Sequence, residues 1–563
     1  MQVVSPLPQL YYLANFLELL EGVQQQYSEI LPKPYGQFIH RFQRLSPNAQ
    51  ALLVRLLSRK GNYFRLAKLN YPELGELATA VEALAAEQMV ALQPPVAADE
   101  WLPLFTKKEW LAKITAGLVP GLQADLGWKR TEMDSALQTA LTELSPDQAL
   151  ELAQEPIVEL RAQPLFAWLK LLYFGNARQD LSEFVLRDLA LSQFEPYAIN
   201  RQTRLFADWA QVSDHMAVVE LADRWQNTAG DDIEALVALA EQVPTPTGEP
   251  QDARLERKCG QLLCDIARQL ERLGALSQAQ RLFAKTGELP ARERQARILV
   301  SRGLPEQAII LCRAMTESPA SDDEFEFAHA FAYRVAKKLP LAYWPKPTVY
   351  QPPTEHWRCP KEPGEWGARL PEWAVAKKLS ASGRCFYVEN HLFLTVFALV
   401  YWPVFFAPVA GAFSHPFQSQ PHDLYSQDFL KRRPDVLAKT EAWAFSAGPD
   451  GHLPLPCLLQ RLEQKNGINH SLVFWPAVDE ALLTLAIENI SVKDWRAIFD
   501  YLWGDLRARR KGLPDLIYFP SAGGAELIEV KGPGDKLQTH QRRWLAFFHQ
   551  AGIAHRVVNV AWQ

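Results

Sequence analysis

The six cysteines, Cys259, Cys264, Cys312, Cys359, Cys385 and Cys457, form no Cys-x-x-Cys pair and no Cys/His combination at zinc spacing. That excludes structural zinc and suits a reducing compartment. No basic segment followed by an apolar core stands at Met1, so no secretory signal is expected. One uncharged apolar run, residues 392–413, has the length of a membrane span, but Pro403 and Pro408 interrupt it. It is read instead as a helix buried beside a sheet. An overall excess of positive charge is also missing. The net charge is −5, while 48% hydrophobic and 22% charged residues are ordinary for a soluble globular chain. Its 563 residues imply about three or four domains.

The chemistry is concentrated near the C-terminus. Gly512-Leu513-Pro514-Asp515-Leu516-Ile517-Tyr518-Phe519 leads into a strand, residues 520–525 supply a turn, and Glu526-Leu527-Ile528-Glu529-Val530-Lys531-Gly532 reads as a second strand. Alternation places Glu529 and Lys531 on one face and Ile528 with Val530 on the other. The hairpin sets Asp515 roughly opposite Glu529 to Lys531, which is the form of a PD-(D/E)xK nuclease core. Two adjacent carboxylates resist joint ionisation unless a cation lies between them. Hard oxygen donors suit Mg2+ or Mn2+ with positions open to water and phosphate oxygens. The expectation is phosphodiester hydrolysis, with Asp515 and Glu529 holding the metal and Lys531 orienting the attacking water or steadying developing charge.

The same spacing also occurs on solvated strand faces, so the following segment matters. Asp535 is expected to cap a helix, with Gln538 three positions on. Leu537, Trp544, Leu545 and Phe548 form its apolar stripe, and Gly552 ends it. Gln541 falls inside that stripe, where it needs partners that the hairpin can offer. Residues 554–560 read as a closing strand.

Between Arg41 and Lys68 acidic residues are missing altogether. Arg41, Arg44, Arg55, Arg59, Lys60, Arg65 and Lys68 are interleaved there with Phe42, Tyr63 and Phe64, an electrostatic footprint for phosphates. Ser46 and Pro47 open a helix, Gly61-Asn62 turns, and a further helical stretch runs toward Ala86, predicting a winged-helix-like DNA-binding module. A second cluster, Arg507, Arg509, Arg510 and Lys511, directly precedes the catalytic hairpin and is placed to grip the strand being cut. A third, Lys431-Arg432-Arg433, suggests no definite role.

The run Lys511 to Leu516, then Val530 to Asp535 and Gln541 to Leu545, resembles the VRR-NUC nuclease domain of the Fanconi anaemia-associated nuclease family. Leu45 to Leu52, Arg55 to Lys60 and Lys68 to Tyr71 resemble that family's N-terminal region, and Tyr197 to Thr203 its middle. The similarity thus spans nearly the whole chain. It implies a structure-specific DNA endonuclease that removes 5′ flaps, has 5′→3′ exonuclease activity and acts in interstrand crosslink repair, with one or two Mg2+ or Mn2+ ions. It also implies two further metal ligands, Glu389 and the Val530 carbonyl, and a catalytic part for Gln541. Glu389 shares helical spacing with Phe393, Val396 and Val400, so it is expected on the inward face of a helix. The cysteines offer no counterpart to the ubiquitin-binding zinc finger of eukaryotic relatives. The chain is therefore similar to the shorter bacterial-type form, expected to be cytoplasmic, nucleoid-associated and monomeric on branched DNA.

The expected fold is multidomain and mostly α. Residues 1–95 are the winged-helix-like region, 96–197 a helical SAP-like region matching the family by position, and 198–338 tetratricopeptide-like repeats. The repeat reading rests on Leu273 to Ala279 and Arg302 to Ala308, offset by twenty-nine residues. A Pro-rich linker, 339–366, leads to the α/β restriction-endonuclease-like nuclease, 367–563. Two other readings stand beside this one: a Holliday-junction-resolvase-like nuclease, and a DNA-binding scaffold with an idle nuclease. Intact Asp515, Glu529 and Lys531 speak against the scaffold, and the long N-terminal region against a resolvase's symmetric pairing.

Overall fold

A computed structural model describes the chain apart from residues 1–7, 95–97, 143–147, 149–150, 153, 190–191, 229, 245–251, 341, 363, 365, 368 and 448–450. It divides into two units, Met1–Leu191 with Ile199–Val212, and Ser192–Ala198 with Ser213–Gln563.

In the first unit, helices Tyr11–Tyr27, Lys33–Arg44 and Pro47–Leu57 bury Phe16, Phe38, Phe42 and Leu52. Ser46 caps the third of these as its sequence predicts, its hydroxyl accepting the Ala49 N–H at 3.4 Å with Pro47 in the first turn. Gly61, at φ +85°, then turns the chain into β1 (Tyr63–Arg65). Helix Leu77–Ala86 leads to β2 (Val90–Leu92), and β3 (Ile157–Leu160) pairs antiparallel with both, giving the order β1-β3-β2. The central strand comes from the segment expected to form the separate SAP-like region. Ile157, Val158 and Leu160 are buried, as a strand with neighbours on both sides requires, and a boundary at 95/96 would divide this sheet.

In the second unit, helices Ala253–Arg272, Leu276–Phe283, Ala291–Ser301, Pro305–Glu317 and Asp322–Ala336 pack each against the next. The twenty-nine-residue offset recurs in the backbone. Gly274 and Gly303 both take positive φ, 78° and 76°, just ahead of the helices that start at Leu276 and Pro305.

The segment expected to be catalytic lies in a five-stranded sheet. Its strands are β4 (Thr354–Cys359), β5 (Gly383–Tyr387), β6 (Leu516–Pro520), β7 (Glu526–Lys531) and β8 (His555–Trp562), in the order β4-β8-β7-β6-β5. β8 runs parallel to β4 and β7, and β6 antiparallel to β5 and β7. Strand β4 corrects the reading of 339–366 as a linker: from Thr354 onward that segment is the sheet edge, in register with Val557 to Trp562. An edge strand needs no apolar alternation, and its first three residues are exposed, so no pattern marks it in the sequence.

Helix Leu370–Leu379 covers one face through Val375, Ala376 and Leu379, packed with Leu516, Ile528, Val530 and Val558. The other face receives Trp544 and Phe548 of helix Thr539–Ala551 together with helices His391–Phe405 and Val492–Gly504, against Ile517, Phe519 and Leu527. The apolar run forms a buried helix as far as Phe405, with Pro403 inside its last turn, and residues 406–413 with Pro408 continue beyond it without helix. Among the described residues no helix is long and apolar enough to cross a membrane. The third basic cluster is structural: Arg433 is fully buried and forks onto Asp423 with two bonds of 2.9 Å, while Arg432 reaches the same carboxylate at 2.7 Å.

Candidate active site

The β6–β7 register pairs Leu516 with Ile528, so Asp515, one residue before β6, comes beside Glu529. The Val530 N–H donates to Asp515 Oδ2 at 2.8 Å. Leu527, Glu529 and Lys531 share the face that helix Thr539–Ala551 covers, and Glu529 is only 1% exposed. A solvated strand face is therefore excluded. Glu529 Oε1 accepts from Lys531 Nζ at 2.7 Å and from Gln541 Nε2 at 2.6 Å, while Oε2 is buried without a hydrogen-bond partner.

Gln541 finds the partner that it needs inside the stripe in the Glu529 carboxylate of the hairpin. Its other end accepts the Gln538 N–H at 2.9 Å. The expected cap does not form: the helix starts at Thr539 with Gln538 at its N-cap, and Asp535 instead accepts the Gly532 N–H at 3.2 Å. Gly534, at φ +90°, holds that turn open between strand and helix.

Glu389 also departs from its expected position. Helix His391–Phe405 begins two residues later, behind Asn390 at φ 54°, so Glu389 lies in the turn that follows β5 rather than on the helix face. The helical spacing to Phe393 is real in number only, because the helix has not begun. The turn is pinned to the loop before β6 all the same. The Val388 and Glu389 N–H groups donate to the Asp515 carbonyl at 2.8 and 3.2 Å, and Asn390 Oδ1 accepts the Leu513 N–H at 3.1 Å. The Glu389 carboxylate accepts from the Tyr387 hydroxyl, over whose ring the Arg369 guanidinium lies at 4.5 Å.

Burial, reinforced by neighbouring Glu372 and Glu389, pushes the Asp515 carboxyl up to about 6 even though the Val530 N–H favours its charge. Glu529 is held well above the usual carboxylate range by burial and then by Asp515, against the pull of Lys531. Glu372 escapes the sequence reading. It stands in the first turn of helix Leu370–Leu379 with Oε2 buried and unpartnered, and burial raises its pKa. A first-turn Glu is favoured by the helix dipole anyway, so its position carried no distinguishing signal. Among the described residues no three His, Cys, Asp or Glu side chains are grouped as a ready metal cage.

The predicted phosphate-binding residues divide. Arg55 pairs with Glu73 at 2.7 Å, and Arg65 pairs with Glu155 at 2.5 Å and Glu109 at 2.9 Å. Arg41 donates to the Glu87 carbonyl at 2.9 Å. These partners lie outside 41–68, so an acid-free run concealed them. Arg44, Arg59, Lys60 and Lys68 are exposed, Arg44 with Glu87 at 3.5 Å and Lys68 with Glu109 at 3.4 Å. In the second cluster, Arg509 is bound to Asp322 at 2.7 Å, Arg510 donates to the Tyr425 hydroxyl at 2.9 Å, Arg507 lies over the Tyr425 ring at 5.1 Å, and Lys511 is exposed.

Two family models match: "FAN1, HTH domain" over residues 10–91 and "VRR-NUC domain" over 454–562. A Fanconi-associated nuclease 1 homolog of Pseudomonas aeruginosa is 33% identical over 98% of this chain and 96% of its own length. The chain belongs to the Fanconi-associated nuclease family. Another member, human Fanconi-associated nuclease 1, is 24% identical over 98% of this chain and 62% of its own. A crystal structure of paFAN1 bound to 5′-flap DNA with a 2-nucleotide flap and a gap superposes with a TM-score of 0.84, at 30% identity over 99% of this chain and 100% of that one. As a Fanconi-associated nuclease the chain is a phosphodiesterase, and this family and its PD-(D/E)xK centre imply a divalent metal.

Proposed function

We propose that this nuclease cleaves phosphodiesters in branched DNA at 5′ flaps, with 5′→3′ exonuclease action, in interstrand crosslink repair. The observation that carries the site assignment is the buried, unpartnered oxygen of Glu529 set against Asp515. Two carboxylates kept from ionising by burial and by each other fit a hard divalent cation, which would supply the positive charge that both lack. Asp515 and Glu529 would hold Mg2+ or Mn2+, one or two ions per site, with Glu389 and the Val530 carbonyl as further ligands. When bound, the cation polarises the phosphate and lowers the pKa of a coordinated water. Lys531, 2.7 Å from Glu529, would orient the attacking water or steady charge that develops on the phosphate. Gln541 would hold the Glu529 carboxylate through the same oxygen, Oε1, and leave Oε2 for the ion.

The flap preference is supported by the likeness to paFAN1 in complex with 5′-flap DNA, and the exposed Arg44, Arg59, Lys60 and Lys68 would contact the duplex of a monomer's substrate. Labelled 5′-flap, 3′-flap, duplex and four-way DNA incubated with Mg2+ or Mn2+ test the reading. The 5′ flap should be cut first, and Asp515→Ala should slow cutting by at least on the order of 100-fold. Unchanged cutting by that variant ends the site assignment, and preference for four-way DNA ends the substrate assignment.

A further inference from the structure

A cluster of ion pairs outside the carboxylate centre joins the helix Asp322–Ala336 to the nuclease. Ser321 caps that helix, its hydroxyl accepting the Glu324 N–H at 3.2 Å, and Asp322, Asp323 and Glu324 fill the first turn. The three carboxylates and Glu326 point to different partners. Glu324, 4% exposed, turns inward and accepts from Arg292 Nε at 2.9 Å and from the Ala320 N–H at 2.7 Å, which ties the helix start to its own array. Asp322 receives the Arg509 fork through two bonds of 2.7 Å. Asp323 accepts from Arg543 Nη2 at 2.6 Å, and Glu326 accepts from Arg543 Nε.

Both arginines lead to the active site. Arg543 stands two residues beyond Gln541 on helix Thr539–Ala551, and the next residue, Trp544, donates to the Arg509 and Lys511 carbonyls at 3.0 and 3.1 Å. Arg509 further donates to the Tyr501 carbonyl at 2.6 Å and lies 4.0 Å over the Tyr501 ring. The Asp322 N–H donates to Asp505 Oδ2 at 3.3 Å, and Asp505 caps the short helix Leu506–Arg509. One acidic turn thus grips both the helix that carries Gln541 and the loop that leads to Asp515.

We propose that Asp322, Asp323 and Glu326 are positioning residues, a clamp through which the repeat array sets the orientation of Gln541 and hence of Glu529. The proposal rests on the assignment of Glu529 and Gln541 above. Carboxylates beside a site for a polyanion repel it, so their presence there calls for a purpose other than affinity. A positioning role predicts a split. Neutralising the clamp leaves DNA affinity equal or tighter while the cleavage step slows, because small misplacements of a catalytic group are expensive in rate.

The test uses the full chain with a fluorescent 5′-flap substrate. Binding is read by anisotropy in Ca2+ and cleavage by single-turnover kinetics in Mn2+. D322N/D323N/E326Q should cleave roughly 10-fold more slowly at saturating enzyme with Kd unchanged or lower. The charge-exchanged triple variant D323K/E326K/R543E should recover most of the rate that R543E alone loses. Thermal unfolding accompanies each variant, and a variant that does not fold is replaced by R543K, which keeps the charge but loses the fork and should fall between wild type and R543E. A wild-type rate in the neutralised clamp, a loss expressed in Kd alone, or an exchange variant that is folded but no faster than R543E each overturns the proposal. D515N runs alongside: if it still cuts, the active-site assignment fails, whereas a dead D515N beside a fully active clamp variant refutes the clamp alone.

Discussion

Asp515 and Glu529 hold protons more firmly in the folded protein than in an unfolded chain, and the sign of the pH effect follows. Asp515 rises from an ordinary 3.8 to about 6, so without metal its contribution to stability is fully present below the lower value and is lost as pH rises through the upper one. Asp515→Asn removes that loss. Under chelation its unfolding temperature should exceed that of the wild type at about pH 7.5, and the difference should shrink toward pH 4, measured by scanning calorimetry. Metal binding needs both carboxylates charged, so Mn2+ affinity read by electron paramagnetic resonance should weaken as pH falls below about 6. Gln541 was legible at this scale because an amide inside an apolar stripe must find a partner. Glu372 was not, since a first-turn glutamate is at home on any helix, and Glu389 was assigned to the wrong side of a helix start that Asn390's backbone decides. Glu372→Gln should bring the Asp515 pKa down by removing a neighbouring negative charge, observable by carboxyl NMR titration.

At the level of the elements, the catalytic hairpin, its covering helix and the closing strand were readable from alternation, the Gly523-Gly524 turn and the apolar stripe. What could not be read was how the pieces abut. Gly512 takes φ +89°, and a Cβ there would lie 2.5 Å from His540 Cδ2 and 2.8 Å from the His540 carbonyl carbon, at the start of the helix that carries Gln541. Gly512→Ala must move the loop before β6 or that helix. It should cost about 1–3 kcal/mol in urea unfolding and slow cleavage beyond what the stability loss explains. The turns at Gly274 and Gly303 stand at the offset read in the sequence, whereas β4 was invisible because an edge strand is not obliged to alternate.

Across the molecule, a modest net negative charge conceals local positive regions whose members do different work. Arg65 is only 12% exposed at its side chain and answers Glu109 and Glu155, so Arg65→Ala should destabilise the first unit, chiefly by removing the guanidinium that Glu155 faces, since Glu109 keeps Thr106 and Lys68. Arg59 and Lys60 are exposed, and replacing either with Ala should weaken DNA binding uniformly across sequences and flatten the salt dependence by about one unit of slope each. Titrations of flap DNA at several salt concentrations, beside thermal melts, separate the two classes. The sequence showed that these residues cluster. Which of them were already occupied depended on acids brought in from outside the run, Glu73 for Arg55 and Glu109 with Glu155 for Arg65.

The position of β4 bears on how the catalytic part can be cut out and handled. A fragment begun at residue 367 discards the strand that shields β8 and leaves an open row of amides and carbonyls above the buried Val558 and Val560. Such a margin recruits a second copy, and the fragment should associate and precipitate. One begun ahead of Pro353, whose carbonyl accepts the Val557 N–H at 2.8 Å, keeps its own border and should elute as a single monodisperse species.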